Sequence, residues 1–252
     1  RLIARTLDES VEILYARPID IPEYVSNGAA DMGITGHDMV VERRARVEEL
    51  LDLQFGRATV VLAVPDESGI EEVQQLKGAR IATEFPVITE DFFRSRGVHV
   101  DIVPVGGACE AAPLLGIADA IVDLTSSGST LRMNHLHVLE EILVTSTHLI
   151  ANPGSLQEKE EKIGEIQLAL ESVIHARGQR YLMMNVHRDA LPEVEALLPG
   201  LSGPTVMEVA SSEHLVAVHA VVHEERIYSL INQLKRAGAR DILVIPIERM
   251  VR

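Results

Sequence analysis

Tryptophan is absent from this sequence, and only four phenylalanines and four tyrosines occur in 252 residues. Because 46% of the residues are apolar, the chain can still bury large cores, but these must be aliphatic. The single cysteine, Cys109, excludes an intramolecular disulfide and leads us to expect a reducing, cytoplasmic setting. No run of about 18 apolar residues occurs, which excludes a hydrophobic membrane-spanning helix. No signal-peptide pattern is read at the start. Lysine is confined to Lys77, Lys159, Lys162 and Lys235. Positive charge is scarce overall: 23 Lys and Arg face 38 Asp and Glu, a formal net charge of −15. That argues against nucleic acid and anionic membranes as general partners, since phosphate polyanions require basic clusters. A small anionic substrate remains compatible if backbone amides and a few arginines meet it.

What is present alternates between short apolar runs and turn residues. Glu12 to Ala16 reads as a strand, and Asp20 followed by Pro22 as the start of a helix with Asp20 at its N-cap. Ala30 to Ile34 reads as a buried strand, Thr35-Gly36-His37-Asp38 as a tight turn, and the Arg/Glu-rich stretch beyond as a helix. Strands are expected at 59–64, 80–83 and 100–103, with helices at 66–76 and 89–96. This alternation predicts an α/β fold with largely parallel sheets. A long helix is expected from Glu158 to Arg180, with Ile163, Ile166, Leu170, Val173 and Ile174 on one face. Beyond about residue 180 the order strand 181–186, helix 191–198, strands 205–209 and 215–222, helix 227–237 and strand 241–247 predicts a ferredoxin-like βαββαβ domain.

One stretch cannot build a core. Residues Thr125-Ser126-Ser127-Gly128-Ser129-Thr130 are all hydroxyl-bearing or glycine, and they follow the apolar strand ending at Asp123. A strand that runs through such a loop into a helix can hold phosphate, through inward N–H groups, hydroxyl donors and the helix dipole. The loop has neither the spacing nor the lysine of a nucleotide P-loop, so a plain capped loop is the competing reading. Asp119 and Asp123 are four residues apart on the expected strand, a spacing that puts both on one face. Glu110 follows the Gly106-Gly107 turn. Carboxylates beside a phosphate loop repel the ligand unless ribose hydroxyls or a Mg2+ ion lie between them. The bland alternative is that Asp119 caps a turn and Glu110 is merely solvated.

These segments resemble the ATP phosphoribosyltransferase family, the first enzyme of histidine biosynthesis, in its long form. The resemblance rests on the runs at 106–113, 116–124 and 126–131, on Asp20 to Val25, and on Asp31 to Asp38. Thr83-Glu84-Phe85-Pro86, Leu149 to Asn152, Leu198 to Thr205 and Gly238 to Val244 extend it over nearly the whole chain. It implies that N1 of ATP's adenine is joined to C1 of 5-phosphoribosyl-1-pyrophosphate with Mg2+ present, releasing pyrophosphate. No general base is implied, since N1 carries no proton. The implied fold is two periplasmic-binding-protein-like lobes, residues 1–57 with 151–179 and residues 58–150, followed by a regulatory domain at 180–252.

By matching, the resemblance assigns the donor's 5-phosphate to Thr125, Ser126, Ser127, Gly128, Ser129 and Thr130. It places Glu110, Asp119 and Asp123 around the ribose and metal, with Glu110 and Asp119 as the Mg2+ candidates. Arg17, Asp20, Asp31, Thr35, Gly36 and Asp38 are implied on the ATP side. Asn185, Leu201 and Thr205 are implied contacts for histidine, an end-product inhibitor that favours a hexamer over active dimers. Family members begin with a strand and a cationic loop resembling Lys-Gly-Arg-Leu, and this sequence starts past that motif, at Arg1-Leu2-Ile3.

The remaining features read as packing. His135 with His137, and His219 with His223, lack the companion ligands of a zinc site. Cys109 reads as a small buried thiol and Met183-Met184 as strand packing. A two-lobed binding protein without catalysis is the alternative function, since a scaffold alone does not define chemistry. The carboxylate-flanked hydroxyl loop favours the enzyme.

Overall fold

The computed structural model describes residues 2–198, 203–210 and 212–252. The chain divides into two compact units, residues 1–167 and 168–252. Among the described residues, no helix is long and apolar enough to cross a membrane.

The first unit opens with a two-stranded antiparallel ribbon of β1 (Ile3–Arg5) and β2 (Glu12–Leu14). Helix α1 (Ile21–Ser26), strand β3 (Met32–Gly36), helix α2 (His37–Glu42) and strand β4 (Glu48–Asp52) follow. Then come β5 (Ala58–Pro65), β6 (Arg80–Thr83), α3 (Pro86–Ser95), β7 (Asp101–Pro104), β8 (Ala120–Thr125), α4 (Ser129–Met133) and β9 (Leu136–Thr145). Strand β10 (Thr147–Ala151) and helix α5 (Pro153–Glu158) complete this part, and helix α6 (Glu160–Ala176) runs across the division after residue 167. Two sheets result: three strands ordered β3-β10-β4, and five ordered β7-β6-β8-β5-β9.

The five-stranded sheet is buried on both faces, so β5 is a continuous apolar run. Val60, Leu62 and Val64 face a core with Ile81, Phe85, Ile88, Phe92 and Phe93. Val61 and Ala63 face the other, with Ala82, Cys109, Ile121 and Leu131. The expectation of largely parallel sheets is corrected here. Among the described residues, only β6 with β7 and β6 with β8 pair in parallel, and every other strand pairing is antiparallel. The reason is that β5 runs against β8 and β9, between which it lies, and that β9 leads directly into β10, which pairs antiparallel with β3 and β4.

Three local expectations also differ. Residues 66–76 form a turn and a short 3-10 helix, Val73–Leu76, rather than an α-helix. Gly69 takes a positive φ of 66°, and Ile70, Val73 and Leu76 recur every three residues, the period of a 3-10 helix. The helix expected at 158–180 is shorter, Glu160–Ala176, and a separate helix precedes it. Asn152 accepts hydrogen bonds from the N–H groups of Gly154 and Ser155, capping α5 separately before α6 begins. Asp20 occupies the N-cap position of α1, but its side chain makes no cap bond and instead accepts from Arg17 Nε at 2.7 Å.

The two sheets are tied together by buried polar contacts. Glu42, 7% exposed, ends α2 and accepts the N–H groups of Val87 and Ile88, each at 3.0 Å, at the start of α3. Burial pushes its carboxyl up despite those two bonds. Glu42→Ala is expected to strip α3 of both acceptors and destabilise the protein by about 1–2 kcal/mol, measured by urea unfolding.

The second unit contains β11 (Gln179–His187), α7 (Leu191–Leu197), β12 (Thr205–Glu208), β13 (Leu215–His223), α8 (Ile227–Arg236) and β14 (Arg240–Pro246). Its sheet order, β12-β13-β11-β14, is antiparallel throughout and is that of a βαββαβ domain. Leu182, Met184, Val186, Val216, Val218 and Ala220 form the inner face under Val194, Leu230 and Leu234 of the helices. Alternation puts Met183 and Asn185 on the opposite face.

Candidate active site

Strands β7, β6 and β8 are the parallel part of the sheet, and their carboxyl ends lie along one edge. Ligands of α/β sheets gather at that edge. Glu84 follows β6, the Gly106 to Glu110 turn follows β7, and the hydroxyl loop follows β8. A side chain at Gly107 would stand 3.6 Å from Glu84 Oε1, which shows how closely the first two approach.

The loop is built by its own polar groups. Thr125 Oγ1 accepts the Gly128 N–H at 2.9 Å, and the Ser127 and Ser129 hydroxyls are 2.9 Å apart. Gly128 sits at φ 68°, a left-handed conformation that turns the chain into α4. A Cβ there would also lie 3.0 Å from Arg132 Nη1, so a guanidinium lies against the loop. Ser126, Ser127, Ser129 and Thr130 are exposed, while Leu131 anchors α4 in the core.

Asp123 is half-buried, and its Oδ1 accepts the Leu124 N–H at 2.7 Å. Burial first, then the charges of Glu110 and Glu84, push its carboxyl up to about 6. The same surroundings push the Cys109 thiol up to about 12, burial again leading and Asp123, Glu84 and Glu110 adding to it. Cys109 is therefore inert at neutral pH, as a packed thiol beneath three carboxylates.

Asp119 is not brought to this group. It precedes β8, at the opposite end of the strand from Asp123, about 13 Å away by strand rise. There it pairs with Arg80, 2.9 Å to Nη2, and accepts the Arg80 N–H at 2.8 Å. Those bonds hold its carboxyl below the usual aspartate range. The shared face of Asp119 and Asp123 was legible; the distance along the strand separates them.

The residues assigned to the ATP side fall into two groups. Arg17, Asp20, Thr35, Gly36 and Asp38 gather at one end of β3. Arg17 is exposed and pairs with Asp20, and Thr35 Oγ1 donates to the Pro18 carbonyl at 2.9 Å. Asp38 is buried and locked to Thr145: it accepts the Thr145 hydroxyl at 2.8 Å, and its N–H donates back at 3.0 Å. His37 and Asp38 begin α2 rather than completing a turn. Asp31 lies at the other end of β3, where it accepts from Lys159 Nζ at 2.8 Å and Ser155 Oγ at 2.7 Å. Lys159 and Ser155 hold Asp31 below its ordinary range.

In the second unit, Asn185 donates to Asp241 Oδ2 at 3.0 Å. Thr205 begins β12 opposite His219. Asn185 and Thr205 share the sheet face turned away from the helices, two strands apart. Leu201 lies outside the described residues. Sequence reasoning missed Glu84 and Arg132 as members of the site. Glu84 closes a strand parallel to β8, and Arg132 is one helical turn past Gly128, so both signals needed the strand pairing first.

Comparison with known proteins adds to this geometry. The family profile described as ATP phosphoribosyltransferase matches residues 17–172, and that of the HisG C-terminal domain matches residues 176–249. The ATP phosphoribosyltransferase of Methanosarcina barkeri is 53% identical over 255 residues, covering 100% of this chain and 88% of that protein. That of Methanocella arvoryzae is 56% identical over 251 residues, with the same coverage. A solved structure, the ATP phosphoribosyl transferase (HisG:HisZ) complex from Thermotoga maritima, is 34% identical with a TM-score of 0.63. It covers 69% of this chain and 88% of the solved one.

Proposed function

The chain belongs to the ATP phosphoribosyltransferase family, and from that premise we propose which of its residues carry out the first step of histidine biosynthesis. The reaction joins N1 of adenine to C1 of 5-phosphoribosyl-1-pyrophosphate and releases pyrophosphate. Positioning two anions and stabilising the departing charge supply most of the catalysis.

The donor's 5-phosphate is assigned to the Thr125–Thr130 loop, where exposed hydroxyls meet the guanidinium of Arg132. Asp123, Glu110 and Glu84 border the ribose hydroxyls. The observation that carries this reading is the joining of a hydroxyl loop and three carboxylates at the carboxyl edge of three parallel strands.

A divalent cation fits the same edge, because burial first and then the charges of Glu110 and Glu84 raise the Asp123 carboxyl, and these carboxylates are hard oxygen donors. We assign Mg2+ to Glu110 with its neighbours Glu84 and Asp123, because Asp119 is committed to Arg80. When bound, the ion would neutralise charge on the leaving pyrophosphate. Arg17, Asp20 and the Thr35–Gly36 segment border the ATP side, with Asp38 as a buried brace behind it. The C-terminal unit is proposed to bind histidine as inhibitor at Asn185 and Thr205, and to shift the chain between dimer and hexamer.

The test is formation of phosphoribosyl-ATP, followed by absorbance, with ATP, donor and Mg2+. Product formation suppressed by histidine supports the assignments; no product from a folded chain carrying its family's cationic N-terminal segment would sink them. Thr130→Ala is expected to raise the donor KM by about tenfold, the loss of one charge-assisted bond, and leave histidine binding unchanged. Equal loss of both would assign the loop to another ligand.

A further inference from the structure

Far along the chain from the donor-side carboxylates, another group of side chains converges. His37 opens α2, Glu49 lies on β4 and His148 on β10, and one ligand atom of each lies within 4.8 Å of the others. Glu49 Oε2 is 2.9 Å from His37 Nδ1 and 2.6 Å from His148 Nδ1. The side chains are 22–29% exposed, open to a solvent ion yet held by packing.

Proton accounting around His148 points to a cation. Ser146 Oγ donates to Asp52 Oδ1 at 2.7 Å. Asp52 Oδ1 also accepts the Gln54 N–H at 2.8 Å, so it serves as an acceptor here. A hydroxyl has one proton to give, so Ser146 must accept from His148 Nε2, 3.1 Å away. The proton of neutral His148 is thereby placed on Nε2. Its Nδ1 lone pair then faces a carboxylate oxygen at 2.6 Å, a repulsive meeting of two acceptors. Either an additional proton or a metal ion resolves that meeting.

The surroundings favour the metal. A carboxylate–hydroxyl–imidazole relay of this kind is what fixes the tautomer and orientation of metal-bound histidines. Two imidazoles and one carboxylate suit a borderline ion, with one position left for water, whereas Mg2+ prefers all-oxygen surroundings. Tetrahedral metal bonds of about 2.0–2.1 Å set ligand atoms about 3.3–3.4 Å apart, so each histidine nitrogen must part from the Glu49 oxygen by roughly 0.4–0.8 Å. We propose that His37, Glu49 and His148 bind one divalent first-row transition metal of the Zn2+ type. The ion cross-links the start of α2 to β4 and β10 and is distinct from the Mg2+ of the reaction.

The chain is stripped with a chelator and titrated with Zn2+ against a chromophoric chelator, with Co2+ absorption as a second reading. One equivalent is expected to bind, with Kd weakened at least about 100-fold in His148→Gln and in Glu49→Gln. Ser146→Ala, which frees the tautomer, is expected to weaken it about 10–100-fold. His187→Gln, altering a histidine stacked on His214 elsewhere, is expected to leave Kd unchanged. Circular dichroism verifies that each variant is folded. Folded wild-type protein that binds no metal, or variants at these positions that bind as wild type does, would overturn the proposal. The first result would assign the cluster to a proton-held imidazolium–carboxylate pair.

Discussion

Asp123→Asn is expected to melt at a higher temperature than wild type at about pH 8, while kcat/KM for the phosphoribosyl donor falls about 100-fold. The two effects share one cause. Folded Asp123 keeps its proton up to about pH 6, whereas an ordinary aspartate releases it at 3.8. Between those values the folded chain binds more protons than the unfolded chain, so stability falls as pH rises through the window. Above it, wild type holds an ionised carboxylate against burial and against Glu110 and Glu84. Asparagine removes that penalty but also removes the charge proposed to order the ribose and cation. The melting difference should vanish below about pH 3, where both side chains are neutral in the folded and the unfolded chain. Calorimetry across pH, beside donor kinetics, gives both readings. A uniform loss of stability at every pH would mean that Asp123 is a packing residue.

Gly36→Ala is expected to cost about 1–3 kcal/mol, lowering the melting temperature by roughly 2–12 °C. A Cβ at this position would lie 2.1 Å from Asp38 Oδ1 and 3.2 Å from its Cγ. Asp38 cannot readily yield, because it is buried and bonded twice to Thr145 across the two sheets. Adding Asp38→Ala to Gly36→Ala should recover part of the loss, since the collision disappears with the carboxylate. Strictly additive single and double variants would show that the brace does not limit this turn. The glycine reads in sequence as a turn residue, yet its backbone is extended. Space for a neighbouring side chain, rather than a left-handed φ, is what requires it.

Much of the architecture could be read from local patterns. The βαββαβ unit was legible because each element is bounded by its own turn chemistry and alternates with period two or about 3.6. Strand β6 falls on its expected residues for the same reason. Strand direction was not legible: β5 reads as an ordinary apolar strand, β9 and β10 are not anticipated at all, and nothing local states that these strands return antiparallel. The hydroxyl loop announced itself because it could not pack. Its partners were harder, since Asp119 and Asp123 look equivalent by spacing but serve opposite ends of a sheet. The His37–Glu49–His148 cluster was invisible for a related reason. Its members lie on three separate elements with no motif spacing, and only the pairing of β10 with both β3 and β4 unites them.

The buried, high-pKa thiol of Cys109 has a practical consequence. A cysteine introduced on an exposed helix would react with maleimide or spin-label reagents at neutral pH, while Cys109 would stay silent. The natural background thus serves as a cysteine-free scaffold for placing single probes. The absence of tryptophan extends the same advantage to fluorescence, where one engineered indole would report without interference.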